Sequence, residues 1–124
     1  MTAQKALEMG VRDAVSFGPI LIVNGVPNDV SGTGGGLNPR TAIGQRADGA
    51  VLFLVIDGRQ ASSLGASMND LINIMLEYEA VNAANLDGGS SSVLYWGDEL
   101  LTVNSSLVGL RRMPNAFLIK KLEK

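Results

Sequence analysis

Neither cysteine nor histidine occurs anywhere in the chain. The first absence removes disulfides, thiol nucleophiles and cysteine-ligated zinc. The second removes every histidine-based triad. Acid–base work therefore falls to Asp, Glu, Lys or Tyr, and any metal would be a hard ion held by oxygens. Charged residues make up only 18% of the chain, the net charge is −2, and no basic stripe is present, so nucleic acid and acidic membranes are poor partners. No apolar run is long enough to span a bilayer, and no secretory signal opens the sequence. Lack of cysteine suits both sides of a membrane, so the compartment stays open. It is extracellular or cell-envelope if the parent protein carries an upstream signal.

What is present is a globular composition. Apolar residues make up 46% of 124 residues, a length that suits one domain with a real core. A short helix is expected over residues 3–9, ended by Gly10, and Ala14-Val15 begins a candidate edge strand. Gly18-Pro19 signals a turn. Ile20-Leu21-Ile22-Val23 followed by Asn24-Gly25 is a strong hairpin signal. The glycine-rich stretch after Pro27 lacks the Gly-Lys-Ser/Thr ending of a phosphate loop and reads as a surface loop or lid. A strand leads from Asn38 through Gly44, and Ala47-Asp48-Gly49 turns it back into residues 50–56. That run is apolar throughout, so a central strand covered on both faces is expected.

Ser67 and Asp70 have the spacing of a capping box, and Met68, Leu71, Ile72, Met75 and Tyr78 keep helical spacing, predicting one main helix over residues 67–80 with its Met and Tyr residues in the core. A short strand over residues 83–86 should follow. Tyr95 and Trp96 face Leu100 and Leu101 across Gly97-Asp98, a second hairpin whose aromatics serve cross-strand packing or sugar stacking. Residues 116–119 read as a last strand and residues 120–124 as a charged end. The expected fold class is α+β: a mixed, largely antiparallel sheet packed against one main helix.

Polar chemistry concentrates at two strand ends. Asn85-Leu86-Asp87-Gly88-Gly89-Ser90 joins a carboxylate to freed backbone and a hydroxyl. Successive N–H groups in such a turn can nest an anion. On local chemistry alone a plain turn closed by the Asp87 side chain is preferred. Asp57-Gly58-Arg59 leaves the apolar run in the same way and reads equally as a site or as a turn with a surface ion pair.

Together with Arg40-Thr41-Ala42-Ile43-Gly44, Gly18-Pro19 and Arg111 near Asn115-Ala116, these motifs resemble the phosphodiester glycosidase family, over about residues 10–119. Two departures stand out. The family's further strand-rich portion with an Asn-Gly-Gly-aromatic motif has no counterpart here, so the chain is expected to be the C-terminal part of the domain. Leu110 stands where the family tends to have Glu.

The resemblance implies hydrolysis of a sugar-1-phosphodiester, such as an N-acetylglucosamine-linked cell-surface or exopolysaccharide glycan. A phosphodiester is already a stable leaving anion, so the reaction needs charge stabilisation more than a proton. On this reading Arg59, Arg111 and Arg40 clamp the phosphate. Gly88, Gly89 and Ser90 form the backbone nest, and Thr41 belongs to the same substrate-binding set. Asn85 holds a sugar hydroxyl or acetamido group. Asp87 is the first choice for the catalytic carboxylate and Asp57 the second. No cofactor is required. Calcium or magnesium between Asp57 and Asp87 is a lower-ranked alternative, because no ordered ligand spacing exists. A non-catalytic carbohydrate- or phosphate-binding module, or an inactive fragment of such an enzyme, is the alternative function. An uncovered sheet face or edge would favour self-association.

Overall fold

The computed structural model describes residues 1–121; the end of the charged tail, residues 122–124, lies outside the described residues. Helix α1 (Ala3–Glu8) is followed by strands β1 (Ile20–Val23), β2 (Val26–Pro27), β3 (Arg40–Arg46) and β4 (Val51–Ile56), helix α2 (Met68–Glu77), β5 (Ala80–Asn85) and the small hairpin β6 (Tyr95–Trp96) and β7 (Glu99–Leu100). The first five strands form one sheet in the order β2-β1-β5-β3-β4, and β6 pairs only with β7.

The α+β class holds, but every strand pair among the described residues is antiparallel, so the sheet is not mixed. β3 is the reason the sheet matters. It pairs antiparallel with β4 on one side and with β5 on the other. β4 and β5 therefore run the same way and end together, beside the start of β3. Ile20 at the start of β1 pairs with Ala84, so β1 begins at that end too. Four chain passages thus meet at one rim.

Helix α2 begins as its sequence dictates. The Ser67 hydroxyl accepts the Asp70 N–H at 3.2 Å, and the Asp70 carboxylate accepts the Ser67 N–H at 2.8 Å. Met68, Leu71, Ile72 and Met75 are buried against Leu21, Ile22, Ala42, Ala80 and Ala83. Burying such side chains is the main force holding helix to sheet. The helix stops at Glu77, short of the expected Ala80, because Glu79 adopts φ +61° and Ala80 already pairs with Arg46. Tyr78 is not core: it caps the helix and is 60% exposed.

The apolar run of β4 is a correction of a different kind. It lies at the sheet edge, not at the centre. Leu52, Leu54 and Ile56 pack on the core, while Val51 and Phe53, on the opposite face, are exposed. Phe53 meets Phe117 at a ring-centroid distance of 5.5 Å. The run is apolar on both faces, yet helix α2 covers only one of them. A concavity lined by Ile20, Ile43, Val51 and Ala84 marks the open face.

Residues 116–119 cross this region without forming a strand, and Ala14-Val15 is likewise irregular. The Asn24-Gly25 hairpin forms as expected, with φ +50° and +79° at its two central residues. Trp96 is 76% exposed and does not serve cross-strand packing.

The capping box carries a pH signature. Bonds from Ser67 lower the Asp70 pKa. A depressed carboxylate contributes stability that is present above its unfolded value, about 3.9, and is lost as pH falls through the folded value. Ser67→Ala is expected to cost about 1 kcal/mol at neutral pH. Its gap from the wild type should narrow below the ordinary carboxylate range, as read by urea unfolding at several pH values.

Candidate functional site

The rim where β1 and β3 begin and β4 and β5 end carries the polar turns. The start of β3 fastens the second of them. Thr41 O accepts the Leu86 N–H at 2.8 Å, and Pro39 O accepts the Gly89 N–H at 2.8 Å. Gly88 lies so close that a Cβ there would come within 2.7 Å of Pro39 O. Glycine is needed at this position for approach, not for φ. Residues Gly89–Ser91 form a short 3-10 turn, in which Ser91 N–H and Ser92 N–H return to Gly88 O and Gly89 O.

The turn after β4 leans on the turn after β5. Gly89 stands about 3.5 Å, measured from its built Cβ position, from both terminal nitrogens of Arg59. Arg59 is at φ +59°, a left-handed backbone that costs a non-glycine residue about 1–2 kcal/mol. Its side chain does not pair with Asp57. Instead Nε and Nη2 donate to Asn38 Oδ1 at 3.2 and 2.8 Å. Asp57 is half-buried and accepts the Val103 N–H at 3.0 Å, so the expected ion pair within this turn is absent.

Asp87 does not close a turn on its own backbone either. Its carboxylate accepts from Arg111 Nη2 at 2.7 Å, with both side chains about half exposed. The same guanidinium donates to Ser91 Oγ, from Nε at 3.0 Å and also from Nη2. Arg111, selected by its spacing to Asn115, is thus the arginine that reaches the turn. Arg40 donates from Nε to Ala66 O at 3.0 Å and from Nη2 to Gly36 O at 3.1 Å. Burial, and then the proximity of Arg59, pushes its pKa below the ordinary value.

The remaining expected residues divide. Thr41 Oγ1 donates to the buried Ser92 Oγ at 3.1 Å, and Ser90 uses its carbonyl to accept from Asn104 Nδ2 at 2.8 Å. Asn85 faces inward: it is 2% exposed, and Nδ2 donates to Gly18 O at 2.7 Å. Its Oδ1 is buried without a partner. In this position Asn85 clasps the start of β1. No group of three or more carboxylates gathers among the described residues.

Two residues at the rim carry no role in the sequence reading. Ser91 follows the Asn85–Ser90 motif, and its contact with Arg111, 20 residues away, has no local signal. Asn38 stands two residues before Arg40, and its partner Arg59 is 21 residues away. Only the pairing of β3 with β4 brings them together.

A family model for phosphodiester glycosidase matches residues 1–120. The Bacillus subtilis (strain 168) protein named SPbeta prophage-derived uncharacterized protein YomE is 37% identical over 90 residues, 69% of this chain and 14% of that protein. The N-acetylglucosamine-1-phosphodiester alpha-N-acetylglucosaminidase of Bos taurus is 36% identical over 56 residues, 45% of this chain and 10% of its own length. Among solved structures, a Burkholderia pseudomallei protein superposes with a TM-score of 0.59 at 42% identity, covering 60% of this chain and 15% of that one. A hypothetical protein from Synechocystis gives 0.58 at 32% identity, over 71% and 18%. The chain spans less than a fifth of the length of each of these relatives.

The close approach at Gly88 is testable without a ligand. Gly88→Ala is expected to lower stability by about 1–3 kcal/mol through the clash with Pro39 O. Gly35→Ala, which meets open space, should stay within about 0.5 kcal/mol. Chemical denaturation of both variants checks the pair.

Proposed function

The chain belongs to the phosphodiester glycosidase family, and from that premise we propose that its rim binds and hydrolyses a sugar-1-phosphodiester of the N-acetylglucosamine type. The observation that carries the reading is the convergence of separate turns: Arg59 lies against Gly89, and Arg111 reaches from the C-terminal segment to Asp87 and Ser91.

In this reading the phosphate sits between Arg59, Arg111 and the N–H groups of Gly88 and Ser90, with Gly89 N–H held by Pro39 O and Arg40 adding positive charge behind. Arginine forks and backbone donors suit phosphate oxygens. Breaking the anomeric C–O bond leaves the electron pair on a phosphate oxygen and positive charge on the sugar. The guanidinium groups stabilise the first and the Asp87 carboxylate the second. Asp57, tied to Val103, backs the neighbouring turn as the second carboxylate. A cell-surface or exopolysaccharide glycan phosphate is the proposed natural substrate. The domain is proposed to be one unit over residues 1–124.

The Asp87–Arg111 ion pair favours one second reading. A carboxylate held at 2.7 Å by a guanidinium is partly neutralised, which suits a module that binds sugar phosphate without turnover.

UDP-N-acetylglucosamine and an aryl phosphodiester of N-acetylglucosamine-1-phosphate separate the two. Release of free sugar is expected from the chain, falling roughly 10²–10⁴-fold in Asp87→Asn and roughly 10²–10³-fold in Arg59→Ala. Undiminished turnover in Asp87→Asn would reject the carboxylate assignment, and binding without release would favour the module. The open sheet face and the β4 edge are further proposed to drive self-association. Sedimentation velocity should then show a concentration-dependent species; a dilute, stable monomer would count against it.

A further inference from the structure

The geometry points to Asn38 as the positioning residue of this rim: its amide oxygen fixes the Arg59 guanidinium across Gly89 while leaving that charge uncompensated for an anion of the sugar-phosphate class. The inference rests on the reading of Arg59 as a phosphate ligand and adds the group that orients it.

Asn38 is held on every side. Its backbone exchanges two hydrogen bonds with Ala66, at 3.2 Å from its N–H and 2.9 Å to its carbonyl. Gly65 packs so tightly on it that a Cβ there would stand 2.4 Å from the Asn38 carbonyl carbon. The side-chain amide has one consistent orientation. Nδ2 donates to Gly35 O at 3.0 Å, which leaves Oδ1 to accept both donors of Arg59. Ala66 O, the other half of the same bridge, accepts Arg40 Nε. Both guanidinium groups therefore hang from one backbone bridge.

The acceptors that hold them are all neutral: one amide and two peptide carbonyls. Among the described residues, Arg12, Arg46 and Arg111 each have a carboxylate partner, whereas Arg40, Arg59 and Arg112 have none, and of these three only Arg40 and Arg59 are held at the rim by hydrogen bonds. Two cations sit close enough for one to depress the pKa of the other. Such a pair attracts an anion more strongly than either cation alone. An aspartate at position 38 would preserve the shape and cancel the charge, so asparagine is the residue type that orients without neutralising.

The test uses the full chain, labelled with nitrogen-15, and inorganic phosphate as the probe. The Arg59 Nε–Hε resonance, identified by its loss in Arg59→Lys, is expected to lie apart from that of Arg112, whose guanidinium is not held by a hydrogen bond among the described residues, and to exchange more slowly with water. Asn38→Ala should merge it with the unbonded position and weaken phosphate binding about tenfold, the loss of one charge-assisted contact. Asn38→Asp should keep the resonance apart and yet bind phosphate more weakly than Asn38→Ala. This isosteric variant also carries the test if the alanine variant does not fold. An unmoved Arg59 resonance in Asn38→Ala, or wild-type phosphate affinity in Asn38→Asp, overturns the role of Asn38. A wild-type chain that ignores phosphate overturns the phosphate reading of Arg59, and the proposed role with it.

Discussion

Everything at the rim depends on the main-chain groups that lead into β3. Pro39 O and Thr41 O hold the turn after β5, Asn38 and Ala66 hold the turn after β4, and Gly58, Gly65 and Gly88 let these backbones close to contact distance. Because β3 is antiparallel to both of its neighbours, two turns distant in sequence leave the sheet on either side of one short segment. The side chains are then placed by backbone hydrogen bonds, which are short and hard to bend. Arg40, Arg59 and Asp87 thus owe their neighbourhood to sheet topology before any ion pair forms.

Local signals in the sequence were read correctly where the physics is local. The Ser67–Asp70 box, the Asn24-Gly25 turn and the helical spacing of Leu71 and Met75 all involve groups within a few residues of one another, and the structure forms them. Asp57 and Asp87 were also legible as strand-end residues. The position of β4 was not. A run such as residues 50–56 reports that both faces are apolar, but not what covers them or which strand lies beside it. Likewise the partners of Arg59 and Arg111 lie 21 and 24 residues away, and no periodicity encodes a contact of that separation. The inward turn of Asn85 is of the same kind, since Gly18 is 67 residues distant.

Membership of the phosphodiester glycosidase family and the small share of each relative covered bear on the open sheet face. Ile20, Val51 and Phe53 are exposed on this surface, beside the polar Gln45 and Asn82. Apolar surface of this extent favours burial against something else. The rim and the open face are separate demands on the same sheet: one presents charge, the other hydrocarbon.

The C-terminal segment brings Arg111 to the rim with little scaffold of its own. Residues 105–121 contain no helix or strand, and they hold to the rest of the chain through side chains: Arg111 on Asp87 and Ser91, and Phe117 on Phe53. Opening that requires breaking only a few exposed contacts lies far below global unfolding in free energy. The tail should therefore detach as a unit while the five-stranded sheet stays folded, and amide protons there should exchange with solvent ahead of those in β3. The cation facing Asp87 thus sits on a lightly anchored part of the chain, so that electrostatic complementarity at the rim is set by a docking equilibrium and is tunable by ionic strength.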